Sequence, residues 1–506
     1  MQHLVYSLDD AYIHMSISKN LAIYGVWGVS SHEFSPSSSS LIWTVLLAAV
    51  YYFFSPNEFT PFIFNLIPAL LILLSVYIIL KKYGIINIYY LSAVLILMIF
   101  LPPLPPLIFT GLEHVMHILI TILFIYIASE SLSGIYSRKN IWLAATLSVL
   151  LPVIRYEGIV IVTGFCFLLF LQKKWLASFF VLIFSLLPVF IFGISSISHG
   201  WSFFPNSLLL KASLPDVYSV GDFLGFISVL GGSFLPGLKL YIFIAGFFAV
   251  VLIVSIYMLY KSPSWLKSRN FNLTALFLFN IALYLVYSRS GWSYRYQSFI
   301  ISLSIFVLSV ILYKYFSGYS TAAKWKKILV RSGAAVVILV FGVYGIKLMK
   351  DVPTTTRNIY EQQYQMGMFL KDYYKGSAVA LNDIGTSNYF AGIKCIDLWG
   401  LSNMEISKQR RTGNFNEQSI REITLKNNVR IAIVYDSWFE EDGSLILPRE
   451  WIKAGEWKIS DNIIAGDDVV SFYAVNTAEE SELIKNLKLF SGKLPQSVMQ
   501  KGKFLY

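Results

Sequence analysis

Long apolar runs recur along this chain, and they limit its fold more than any other feature. Candidate spans fall at about 62–80, 86–101, 114–133, 141–154, 158–172, 176–195, 238–260, 272–288, 296–313 and 331–349. A run of about 17–25 mostly apolar residues satisfies its own backbone as a helix and can therefore sit in hydrocarbon. Only 14% of the residues are charged and 56% are hydrophobic, whereas soluble domains carry about a quarter charged residues. One soluble core cannot hide this excess. The expected fold is a polytopic α-helical membrane protein.

The net charge of +11 reflects topology, not a nucleic-acid partner. Lys81-Lys82, Arg138-Lys139, Lys173-Lys174, Lys261 with Lys267 and Arg269, and Lys324-Lys326-Lys327 with Arg331 occupy alternate loops. Basic loops stay cytoplasmic, so both termini and the intervening loops fall outside. The run Leu41–Phe54 breaks that alternation if it spans. It is expected as a helix lying in the interface or re-entering the membrane, behind Ser37-Ser38-Ser39-Ser40 as a cap. The stretch Asp9 to Tyr24 looks amphipathic, with Gly25 suited to end it. Cys166 and Cys395 lie in different environments and predict no mutual disulfide, and no Cys/His cluster has zinc spacing.

The chain divides at about 350. Residues 1–350 read as a multi-span transmembrane domain, expected to be the catalytic one, with a first outer loop at 1–61. Residues 351–506 are polar, with a helix near 358–374 and strands near Ala378–Leu381, Lys394–Leu398, Ile431–Tyr435 and Val469–Ala474. They read as a C-terminal extracytoplasmic α/β domain.

Charged residues gather on the outer face, and the basic ones among them violate the positive-inside pattern. Asp9-Asp10 offers a general base and an orienter, although spacing alone fits a solvated turn or cap equally well. Glu113 follows the rigid Pro102-Pro103-Leu104-Pro105-Pro106 connection, beside His114 and His117, which suit an interface or a substrate better than a metal. Arg155 and Glu157, Asn206 with Lys211, and Arg295 complete the set. An arginine kept at lipid depth suits a phosphate, whose oxygens its planar fork meets in pairs. Trp201, Phe203, Phe204, Trp292, Tyr294 and Tyr296 supply either an interfacial belt or stacking surfaces for a sugar.

Taken in order, these pieces resemble the GT-C superfamily of polyprenyl-phosphate-sugar-dependent glycosyltransferases, and most nearly its bacterial arabinofuranosyltransferase-like members. The resembling residues are Leu8-Asp9-Asp10-Ala11-Tyr12-Ile13 with Asn20-Leu21-Ala22, Ser40-Leu41-Ile42-Trp43-Thr44, Thr110-Gly111-Leu112-Glu113 and Arg155-Tyr156-Glu157-Gly158. Phe204-Pro205-Asn206-Ser207 with Lys211 and Arg295-Tyr296 follow, then Asn382-Asp383-Ile384-Gly385 and Ile396-Asp397-Leu398-Trp399-Gly400-Leu401.

The resemblance implies an inverting transfer of a hexose or pentose, such as arabinofuranose, from polyprenyl phosphate to a glycan, glycolipid or protein. It places the reaction on the outer face of a bacterial cytoplasmic membrane. It implies Asp9, Asp10 and Glu113 as catalytic groups, Arg155, Lys211 and Arg295 on the donor phosphate, and His114, Glu157, Asn206, Trp292 and Tyr296 around the substrate. No cofactor is required, although the paired acids suit a divalent cation. Relatives carry Pro where Tyr156 stands, and an acidic, Gly-rich stretch where this chain has Ser290-Gly291-Trp292-Ser293. Their first spanning helix precedes the acidic pair, so a helix upstream of Met1 is expected. A lipid or sugar transporter and a non-catalytic assembly protein are the competing classes. Charges confined to one face, with no internal repeat, speak against a transporter.

Overall fold

The computed structural model describes residues 4–134, 138–212, 267–287, 295–316, 323–441 and 443–506. Among them, five helices are long and apolar enough to cross a membrane: Phe59–Lys82, Ile88–Phe109, His114–Leu132, Trp175–Ser198 and Lys324–Tyr373. Shorter apolar helices occupy Leu41–Phe54, Trp142–Ile154, Gly158–Leu171 and Ser298–Tyr313. The expected span at 238–260 lies outside the described residues, and the other expected spans each coincide with a helix.

Ile72, Val76, Ile118, Phe124 and Phe306 are buried at the centre of this bundle. On the helix Trp175–Ser198, Phe179, Phe184 and Phe190 instead point outward and are exposed. Large apolar side chains turned away from the protein suit a lipid solvent, which costs nothing to meet.

Two short helices lie ahead of the bundle. Leu41–Phe54 begins where expected, because Ser40 has an extended backbone and its Oγ accepts the Trp43 N–H at 3.3 Å. Asp10–Tyr24 ends at Gly25, whose φ of 69° is the left-handed cap a glycine adopts without strain. The expectation that this helix is amphipathic fails. Every residue from Ala11 to Ser18 is buried. Leu41–Phe54 covers one side, and the C-terminal domain covers the side that would otherwise meet water.

The C-terminal α/β domain is built on a six-stranded sheet, in the order Lys394–Asp397, Ala378–Leu381, Ile431–Val434, Val469–Ala474, Ile452–Lys458, Met499–Gly502. The first three strands run parallel and the rest pair antiparallel. The strand Ile452–Lys458 carries Lys453, Glu456 and Lys458 on a mixed surface, which hid it from an apolar-run criterion. The helix Lys324–Ile359 runs through the boundary expected at 350 and continues by a π-turn, Tyr360–Tyr364, into Gln365–Tyr373. Both cysteines are buried and free.

The domain is joined to the N-terminal segment by shared core. Ile13, Ile17 and Val29 pack in one cluster with Leu381, Ile384, Phe369 and Phe472. Polar clasps reinforce it. Ser37 Oγ donates to the Leu401 carbonyl at 2.9 Å, and Asn206 Nδ2 donates to the Gly400 carbonyl at 2.9 Å. Asp397 holds the loop that presents these carbonyls, accepting N–H groups from Trp399, Gly400 and Ser402.

Candidate active site

The acidic pair divides between two environments. Asp9 is buried and points at the start of the helix Gly385–Ala391, where it accepts Gly385 N–H at 2.7 Å, Thr386 N–H at 2.8 Å and the Thr386 hydroxyl at 2.9 Å. A carboxylate at a helix start meets unpaired N–H groups and a favourable dipole. Gly385 is needed there, since a Cβ at that position would lie 2.2 Å from the Asp9 carbonyl oxygen. Burial, then the neighbouring Asp383 carboxylate, push the Asp9 carboxyl well above its usual 3.8. Lys19, on the same helix as Asp10, donates to the Asn388 carbonyl at 3.3 Å and to the Tyr389 carbonyl. The helix Asp10–Tyr24 thus holds the short helix of the C-terminal domain at both poles.

Asp10 faces the other way. Its carboxylate is 37% exposed, and Oδ2 accepts from Arg295 Nη1 at 2.6 Å. Arg295 is nearly buried, and its Nε has no hydrogen-bond partner among the described residues. Its guanidinium lies 5.0 Å from the centre of the Tyr296 ring. On that same ring, at 5.2 Å, sits the guanidinium of Arg155. One aromatic ring therefore offers its electron-rich surface to two cations.

Arg155 is saturated by acids. It donates to Glu113 Oε1 at 2.6 Å and grips Glu157 with Nη2 at 2.7 Å and Nε at 3.2 Å. Burial pushes the Glu157 carboxyl up, but Arg155 outweighs it and holds the group below its usual 4.5. Glu113 is fully buried at the start of the helix His114–Leu132. The approach of Tyr6 to Gly111, whose φ is 68°, packs the segment before Asp9 onto the loop before Glu113. Ser7 N–H donates to the Phe109 carbonyl at 3.0 Å and fixes that alignment.

Behind Glu113 lies a polar network that the sequence reading did not name. The Ser39 hydroxyl donates to Glu113 Oε1 at 3.2 Å and sits 3.3 Å from His14 Nε2. His14 Nε2 is 3.9 Å from Glu113 Oε2, and its Nδ1 is 3.1 Å from the Ser38 hydroxyl. The available signals were the position of His14, one helical turn after Asp10 and so on the same face, and the serine run itself.

The other expected site residues scatter around this centre. His114 is buried with its ring edge-on to Tyr296 at 5.9 Å, whereas His117 packs on Phe299. Asn206 is bound to the Gly400 carbonyl of the C-terminal domain, as described above. Lys211 lies on the helix Asn206–Ala212, but its side chain is not among those described, and Trp292 falls outside the described residues. Trp201 is buried and donates to the Phe34 carbonyl at 3.1 Å. No group of three or more His, Cys, Asp or Glu placed to hold a metal occurs among the described residues.

Residues 357–473 match a family model described as a domain of unknown function, DUF8728. No curated protein matches the chain. Among solved structures, the chain is similar to the crystal structure of the Archaeoglobus fulgidus oligosaccharyltransferase complex with Zn and sulfate. The TM-score is 0.46 and the identity 13%, over 98% of this chain and 71% of that one. At that level no residue role passes from one chain to the other.

Proposed function

We propose that this chain is a multi-pass membrane glycosyltransferase of the GT-C kind, moving a sugar from a polyprenyl phosphate to an acceptor on the outer face of the membrane. The observation that carries the reading is the convergence of Asp10, Glu113, Arg155, Glu157 and Arg295 around the Tyr296 ring. These residues come from four separate segments. They collect at the ends of apolar helices, where a lipid phosphate and a water-borne hydroxyl can meet.

Asp10 is the general base in this reading. It has an exposed carboxylate, where Asp9 has both oxygens committed to backbone and hydroxyl donors, so Asp9 is the orienter that fixes the first residue of the Asp10 helix. Arg295 steadies the departing phosphate, with Lys211 as its partner. Arg155 and Glu157 hold Glu113 in place. The sugar is a hexose or a pentose such as arabinofuranose, and the acceptor a glycan, glycolipid or protein of a bacterial envelope. Leu41–Phe54 lies in the outer interface, with Tyr52, Phe53 and Phe54 exposed at its end. A divalent cation on the acidic groups would supply further charge for the phosphate, and removing it with a chelator tests that need.

The test is an assay of purified protein with radiolabelled polyprenyl-phosphate sugars and envelope acceptors. Asp10→Asn should lower transfer by about 10²–10⁴-fold, the range for loss of a general base. Transfer that survives this substitution removes Asp10 from the mechanism.

A further inference from the structure

Within the cluster described above, three carboxylates face two guanidiniums. Arg155 is taken by Glu113 and Glu157, and Arg295 is taken by Asp10 at 2.6 Å. An incoming phosphate therefore meets arginines whose positive charge is already matched. The two ion pairs are not alike. Arg155 is held through three contacts to two acids, Glu113, which is fully buried, and Glu157, which is 37% exposed. Arg295 is held through one nitrogen to a carboxylate that is 37% exposed, and among the described residues its buried Nε has no partner. Its guanidinium has donors to spare. Asp10, at the solvent edge, can move off it.

We propose that the donor phosphate and Asp10 compete for Arg295, so that phosphate binding releases the base. The proposal rests on the lipid-phosphate reading above and adds an order of events to it. With the donor absent, Asp10 is neutralised by Arg295 and is a poor base. Two phosphate oxygens take Nη1 and Nη2 of Arg295 in a paired contact, which a guanidinium fork favours over a single one and which displaces Asp10 from Nη1. The freed Asp10 carboxylate then turns to the acceptor hydroxyl. In the transfer step, the bond from the acceptor oxygen to the anomeric carbon forms and the bond from that carbon to the phosphate oxygen breaks. The hydroxyl proton passes to Asp10, and the bonding electrons leave with the phosphate, which stays on Arg295. Arg155 repels Arg295, so a second negative group at Arg295 is favoured once Asp10 departs. Because the base is masked until the donor is seated, acceptor and water are not activated prematurely.

The proposal predicts a result opposite to that expected of a supporting ion pair. Farnesyl phosphate, with farnesol as the uncharged control, would be titrated calorimetrically into the full chain in nanodiscs. Asp10→Asn should bind farnesyl phosphate about three- to tenfold tighter, the range for removing one partly exposed ionic competitor. Arg295→Met should weaken it, and in that background Asp10→Asn should change nothing, as a double-mutant cycle requires. Arg295→Lys serves in the same cycle if the methionine variant does not fold. Unchanged or weaker binding by Asp10→Asn would overturn the exchange while leaving the lipid-phosphate reading intact. Equal binding of farnesol and farnesyl phosphate by the unsubstituted chain would overturn the lipid-phosphate reading itself, and the exchange with it.

Discussion

The anchor at Asp9 and the ion-pair cluster at Asp10 begin one residue apart and are held by different chemistry. In the anchor, nearly every partner is backbone: Gly385 and Thr386 N–H groups for Asp9, Asn388 and Tyr389 carbonyls for Lys19, Leu401 and Gly400 carbonyls for Ser37 and Asn206. In the cluster the partners are side chains, Arg155 with Glu113 and Glu157, and Arg295 with Asp10. Backbone groups cannot be withdrawn without moving a helix, whereas a side chain exchanges partners by turning about its own bonds. The anchor therefore fixes position, and the cluster is where a substrate can intervene. Two adjacent aspartates, alike in sequence, are separated by what surrounds them.

The sharpest way to break the comparison is at Arg155. Its removal leaves Glu113 and Glu157 facing each other with no cation between them, and Glu113 is fully buried. Breaking a buried ion pair from one side costs about 3–5 kcal/mol. Arg155→Met should therefore lower the melting temperature of the detergent-solubilised chain more than any anchor substitution. If it melts like the unsubstituted protein, the cluster is not the tightly matched group described here. Asp9→Ala comes next. It deletes three hydrogen bonds to a carboxylate at a helix start, an expected loss of about 2–3 kcal/mol. The loss should appear as proteolytic release of the C-terminal domain before the helical bundle unfolds. Simultaneous loss of both would mean that the anchor does not act at the domain junction.

Much of this arrangement is visible in the amino-acid order, and the part that is not has a physical cause. Apolar period and length expose helices such as Phe59–Lys82 and Trp175–Ser198, because lipid-facing and core-facing residues are both apolar there. Ser40 and Gly25 mark helix ends through local hydrogen bonding and a left-handed backbone, which need no tertiary information. Asp10, Glu113, Arg155 and Arg295 stand out because a charge beside hydrocarbon is costly. What sequence spacing does not carry is pairing. Nothing local says that Asp9 turns to Gly385, more than 370 residues away, or that Tyr296 meets two guanidiniums. The position of His14 marks the face it shares with Asp10, but its pairing with Ser39 and Glu113 is set by tertiary structure.

The smallest expected effect concerns how the anchor responds to acid. Burial and Asp383 raise the Asp9 carboxyl well above its usual 3.8 in the folded chain. The folded state then holds this proton more tightly than the unfolded state does. Between 3.8 and the raised value the folded chain carries the greater share of the proton, so stability from this group rises as the pH falls. It is largest below 3.8 and is lost as the pH rises through the raised value. Asp9→Asn, which does not titrate, keeps the two Thr386 hydrogen bonds through its oxygen but turns an amide NH2 toward the Gly385 N–H. Its melting temperature should start lower than that of the unsubstituted chain. Across weakly acidic pH, the difference between the two should narrow as the pH is raised. A gap that instead widens with rising pH would show that the Thr386 and Gly385 donors, which favour the ionised form, outweigh burial and Asp383. Asp9 would then be a permanently charged cap, and the contrast with Asp10 would rest on geometry alone.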